Sequence, residues 1–60
     1  MSYTKSLRRR LPIMTTFDLQ AFRAHLLDVL DRERNPMIRA SAKERVQMID
    51  GELTKRGIQS

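Results

Sequence analysis

Apolar residues recur at helical spacing in two stretches of this chain. In the first stretch they lie three or four residues apart, with one additional neighbour: Leu19, Phe22, Leu26, Val29 and Leu30. This repeat places the side chains on one face of an α-helix. The pattern therefore predicts a helix over about residues 16–33 whose apolar face is buried.

Local signals mark both ends of this first helix. Thr15 is followed three residues later by Asp18, which fits the capping box that satisfies free backbone N–H groups in the first turn. At the other end, Asn35 precedes Pro36, and a residue before proline is driven away from helical backbone angles. We therefore expect the helix to stop before the proline.

The second stretch carries a narrow apolar seam: Ile38, Ala42, Val46, Ile49 and Leu53. Its helix has two candidate starts, one with Asn35 as the cap and Pro36 in the first turn, the other with a capping box of Ser41 and Glu44. We favour the earlier start, because it brings Ile38 into the seam. The predicted helix covers about residues 36–56 and ends at Gly57, with Ile58 placed to contact Leu53 as in a Schellman motif.

Residues 1–14 lack helical periodicity and contain Pro12, so we expect a basic, extended and flexible N-terminal arm. The predicted fold is all-α: an antiparallel two-helix hairpin over residues 15–60, preceded by this arm. Its predicted core comprises Leu19, Phe22, Leu26, Val29, Leu30, Ile38, Val46, Ile49 and Leu53.

Sixty residues without a cysteine form a small domain that has no disulfide to stabilise it. A core of this size contributes only about 3–5 kcal/mol. We therefore expect dimerisation into a four-helix arrangement, or docking on another protein. The absence of cysteine is compatible with a reducing compartment, and we predict a cytoplasmic protein.

A second apolar surface lies on the opposite side of the first predicted helix. It comprises Phe17, Ala21, Ala24 and Leu27, and we predict that it is a protein interface. The alternative is that Phe17 folds back under the arm, packs on Leu11 and Ile13, and closes a monomeric core.

The net charge of +5 is concentrated at the amino terminus. Residues 1–14 contain Lys5, Arg8, Arg9 and Arg10 and no acid, whereas the remaining basic and acidic residues nearly balance. We predict that these four residues contact a nucleic acid or an acidic partner, since guanidinium groups bind phosphate and carboxylate oxygens. An anionic membrane would attract them equally well, and a solubilising tail without a partner is the simplest alternative.

The run from Ser6 to Pro12, followed by two helices, resembles the opening of ribbon-helix-helix repressors. That resemblance implies a basic strand that pairs with its copy in a dimer and enters the DNA major groove, with Arg8 and Arg10 alternating with Leu7 and Arg9. Asn35-Pro36 replaces the turn that the family has before its second helix. We keep a nucleic-acid-binding dimer, a repressor or an antitoxin, as the alternative function.

The remaining polar residues indicate no catalysis. His25 lies one turn from Asp28, but no nucleophile accompanies them, and no cofactor, metal or phosphate-binding motif is present. Asp28–Arg32 and Glu52–Arg56 have the spacing of surface ion pairs on a helix. No apolar run is long enough to cross a membrane. The sequence thus predicts a non-enzymatic, regulatory binding protein.

Overall fold

The structure is a computed structural model that describes the backbone of residues 3–58 and the side chains of residues 6–58. Its elements are α1 (Tyr3–Arg10), α2 (Thr16–Arg32) and α3 (Pro36–Lys55). The described residues contain no strand, and the prediction of an all-α fold is confirmed. α2 packs along α3, and α1 packs on α3.

The prediction of an extended arm was wrong, because residues 3–10 form α1. Leu7 is 4% exposed and Leu11 is 6% exposed, and both belong to the core. They lie one helical turn apart, and the Leu11 N–H donates to the Leu7 carbonyl at 3.0 Å. Burying this pair stabilises α1 and attaches it to the core. Pro12 lies just beyond α1, where its missing N–H disrupts no helical hydrogen bond.

The strand implied by the resemblance to ribbon-helix-helix repressors is likewise absent. Residues 6–10 belong to α1, and Leu11 and Pro12 lie in the turn that follows it. Arg8 and Arg10 therefore do not alternate with Leu7 and Arg9 on the two faces of a ribbon.

The predicted helix starts are confirmed. The Thr15 hydroxyl accepts a hydrogen bond from the Asp18 N–H at 3.1 Å and caps α2. The Asn35 side chain accepts from the Met37 N–H at 2.9 Å and caps α3. α3 begins at Pro36, so the earlier of its two candidate starts is the one adopted.

The predicted end of α3 is also confirmed. Gly57 adopts a φ of 79°, the left-handed conformation that glycine reaches without steric cost. Its N–H donates to the Thr54 carbonyl at 2.9 Å, and the Ile58 N–H donates to the Leu53 carbonyl at 2.9 Å. These two bonds define a Schellman motif.

The core is built from all three helices and the turn after α1. Its buried apolar residues are Leu7, Leu11, Leu19, Leu26, Ala42, Val46, Ile49 and Leu53. Phe22, Val29 and Leu30 are partly buried against this cluster. Ile38 was predicted to be a core residue, but 44% of its surface is exposed. The seam of α3 is thus covered from Ala42 onward and uncovered at its start.

Candidate interaction surfaces

The predicted interface residues of α2 remain on the surface of the chain. Phe17 is 78% exposed and Leu27 is 40% exposed, and Ala21 and Ala24 are also exposed. We call these four residues the α2 outer face. The alternative, in which Phe17 packs under the arm, was wrong, because Ile13 is itself 84% exposed.

The α2 outer face changes character along the helix. The four residues of the α2 outer face are apolar, whereas Asp28 and Asp31 are exposed on the same side of α2 nearer its end. Asp28 forms the predicted ion pair with Arg32, with 3.1 Å between Oδ1 and Nε. Both side chains are mostly exposed, so this pair contributes little to stability.

The predicted basic contact residues lie on α1 and not on an extended arm. Arg8, Arg9 and Arg10 are exposed and occupy its last turn, where positive charge is favourable to the helix dipole. Lys5 belongs to the same helix, but its side chain is outside the described residues. Successive helix positions are about 100° apart, so the three guanidinium groups surround the exposed side of α1.

A groove that the sequence did not reveal opens between α2 and α3. We call it the α2–α3 groove, and its volume is about 510 Å³. It is lined by Phe22, His25, Leu26, Val29, Met37, Ile38, Ser41, Ala42 and Arg45. Six of these nine side chains are apolar. The uncovered start of the α3 seam is part of this surface.

α1 lies next to the α2–α3 groove. A smaller pocket of about 280 Å³ is lined by Ser6, Leu7, Arg10, Met14 and Phe22. Phe22 also lines the groove. The ring of Phe22 therefore lies between the smaller pocket beside α1 and the α2–α3 groove.

Hydrogen bonds fix the end of the groove where residues 33–35 connect α2 to α3. The Arg39 guanidinium donates from Nη1 to the carbonyl oxygens of Leu30 and of Glu33, the latter at 3.1 Å. The Glu33 carboxylate accepts from the Asn35 N–H at 3.1 Å. The two Arg39 bonds satisfy carbonyls left free at the end of α2 and attach the start of α3 to it, whereas the Glu33 bond orders the connecting segment itself.

A second arginine connects the turn between α1 and α2 to the other end of α3. Arg56 forms the predicted ion pair with Glu52 at 2.9 Å. Its Nη2 also donates to the carbonyl oxygens of Leu11 at 2.9 Å and Met14 at 2.7 Å, and its Nη1 donates to the Thr16 hydroxyl at 3.2 Å. The sequence identified only the contact with Glu52, because the other partners are distant along the chain.

Within residues 6–58, no group of three or more His, Asp or Glu side chains is placed to hold a metal ion. His25 is exposed on the wall of the groove. None of the described helices is long and apolar enough to span a bilayer.

Comparison with known proteins gave no relative: no family model, no curated protein and no solved structure matches the chain.

Proposed function

We propose that this chain is a small, non-enzymatic regulatory binding protein that acts through a helical-hairpin interface. In this proposal, α2 and α3 form the antiparallel hairpin, and the α2 outer face packs against a second copy of the chain. The supporting observation is the exposure of Phe17, at 78%, on a helix whose opposite side is buried. A cysteine-free chain of this kind suits a reducing compartment such as the cytoplasm.

The sizes of the residues on the α2 outer face favour a second copy of the chain as the partner that covers it. Ala21 and Ala24 lie at the centre of the α2 outer face, with Phe17 and Leu27 toward its two ends. Two such helices related by a two-fold axis would approach closely at the alanines, and Phe17 of each would cover Leu27 of the other. Interfaces of this kind use the same surface on both subunits and must be self-complementary.

Charge favours the same antiparallel pairing. Arg8, Arg9 and Arg10 end α1, which a five-residue turn joins to the start of α2, whereas Asp28 and Asp31 lie near the end of α2. A two-fold axis across the middle of α2 brings the basic end of one copy toward the acidic end of the other. Opposite charges arranged in this way orient partners and accelerate association. In this proposal, the arginines of α1 contact the acidic end of α2 in the other copy.

Sedimentation velocity at micromolar concentration tests the proposal. We expect a dimer for the wild type and a folded monomer for Phe17→Asp, since a buried carboxylate opposes association. Ile13→Asp is the matched control, because Ile13 is 84% exposed and lies before α2. It should remain dimeric. A wild-type chain that stays monomeric over the whole concentration range refutes the dimer.

The exposure of Arg8, Arg9 and Arg10 supports the nucleic-acid-binding dimer as a second candidate function. Binding to phosphates displaces counterions, so the logarithm of affinity falls with the logarithm of salt by about 0.9 per contact. Filter binding of duplex DNA over a salt series measures this slope. If this candidate is correct, replacing the three arginines by glutamine reduces both the affinity and the slope. Without such a loss, the protein-binding proposal is favoured.

A further inference from the structure

We propose that the α2–α3 groove is the docking site for an acidic amphipathic helix of another protein. This surface is distinct from the α2 outer face, so the inference goes beyond the proposed dimer.

The groove is an uncovered part of the core. Ala42 is 2% exposed and the later seam residues of α3 are also buried, whereas Ile38 is 44% exposed at the start of the same seam. Met37 beside it is 80% exposed. Ile38 shares a helix face with the core, and together with Met37 it lines a groove of about 510 Å³ that no described element covers.

α1 shows that a helix covers the surface next to the α2–α3 groove. It places Leu7 and Leu11, one turn apart, in the same apolar cluster as Leu26 and Ala42, which line the groove. A groove between two helices accepts a third helix that presents apolar residues at positions i, i+4 and i+7. The occupant of the open groove is therefore an amphipathic helix that continues the covering layer begun by α1.

The polar groups of the groove select the charge of that helix. The described lining residues include His25, Ser41 and Arg45 and no carboxylate. Arg10 lines the smaller pocket that adjoins the groove at Phe22, so a second guanidinium lies beside it. Acidic residues beside the apolar stripe of the partner are attracted by this surface, whereas basic ones are repelled. The α1 helix of a second copy carries Arg8, Arg9 and Arg10, so it is disfavoured as the occupant.

The walls of the groove are already ordered. Arg39 binds the last carbonyls of α2 from the first turns of α3, and Asn35 caps α3. Docking therefore requires little rearrangement of the backbone, and less ordering entropy is lost on binding.

Two synthetic peptides probe the groove. Both are about 16 residues long, enough to form a measurable helix, and both carry leucines at positions i, i+4, i+7 and i+11. One has glutamates beside the leucines, and the other has lysines. By fluorescence anisotropy, we expect the glutamate peptide to bind the wild-type chain at least about tenfold more tightly than the lysine peptide, with binding that weakens as salt rises.

Ile38→Asp and Leu27→Asp form a matched pair of variants. Their side chains are 44% and 40% exposed, but Ile38 lines the groove and Leu27 belongs to the α2 outer face. Ile38→Asp should weaken binding of the glutamate peptide at least about tenfold. Leu27→Asp should leave that binding unchanged while it disrupts the dimer, so failure of the two proposals can be distinguished.

Met37→Glu is the second groove variant. Its carboxylate lies in the first turn of α3, which contains no acid, and is therefore favourable to the helix dipole. Circular dichroism verifies that each variant is folded. The inference is overturned if the two peptides bind equally, if both groove variants retain full binding, or if Ile38→Asp dissociates the dimer.

Discussion

The Arg56 guanidinium donates a hydrogen bond from Nη2 to the Leu11 carbonyl oxygen at 2.9 Å, joining residues 45 positions apart. The same nitrogen donates to the Met14 carbonyl at 2.7 Å. Both acceptors lie in the turn between α1 and α2, and the donor lies at the end of α3. A single side chain thus connects the end of α3 to the turn that follows α1, and its Nη1 also donates to the Thr16 hydroxyl at the start of α2.

Arg56→Gln should lower the free energy of unfolding by about 2–3 kcal/mol. The substitution leaves the carbonyls of Leu11 and Met14 without their charged donor, and hydrogen bonds to charged groups contribute about 1.5–3 kcal/mol. Urea denaturation measures the change. Arg32→Gln is the control, because Arg32 is 78% exposed and pairs with Asp28 of the same helix; it should cost under about 0.5 kcal/mol. Equal effects for the two variants would contradict a connecting role for Arg56.

Leu11→Ala should destabilise the chain by about 2–3 kcal/mol, because it creates a cavity where α1 meets the core. Ile13→Ala, two residues later, should change the stability by less than about 0.5 kcal/mol, since Ile13 is 84% exposed. Chemical denaturation compares the two variants. If residues 1–14 formed a flexible arm, both substitutions would be neutral.

The two glycines of the described chain should respond to alanine with opposite signs. Gly57 has a φ of 79°, so Gly57→Ala should cost about 1–2 kcal/mol. Gly51 lies inside α3 with no atom within 4 Å of an added Cβ, so Gly51→Ala should stabilise by up to about 1 kcal/mol. Thermal unfolding of both variants measures the difference. Destabilisation by Gly51→Ala would show that a partner approaches α3 closely at that position.

Asp50→Asn should reduce stability by about 1 kcal/mol. Asp50 pairs with Arg23 of α2 at 2.6 Å, and the two side chains are 38% and 28% exposed. Asp28→Asn breaks a pair within one helix whose side chains are 55% and 78% exposed, and it should cost under about 0.5 kcal/mol. Urea denaturation at low and high salt compares them. A larger loss for Asp28→Asn would reverse the expected order.

The sequence by itself determined where α2 and α3 begin and end. Thr15, Asn35 and Gly57 act through hydrogen bonds to groups at most five residues away, so short motifs contain the information needed. The apolar repeat likewise identified Leu19 and Ile49 as core residues, because helical spacing fixes which side chains share a face.

Tertiary structure decided whether α1 forms, which groups Arg56 binds and which side chains of α3 are buried. Leu7 and Leu11 have helical spacing, but two leucines make a helix here only because the core accepts them. The partners of Arg56 in the turn after α1 and at the start of α2 lie 40 to 45 residues away. Ile38 shares the periodicity of its buried neighbours and yet remains exposed, since α1 does not cover the start of α3. Periodicity assigns a side chain to a face of its helix, whereas burial depends on whether another element covers that face.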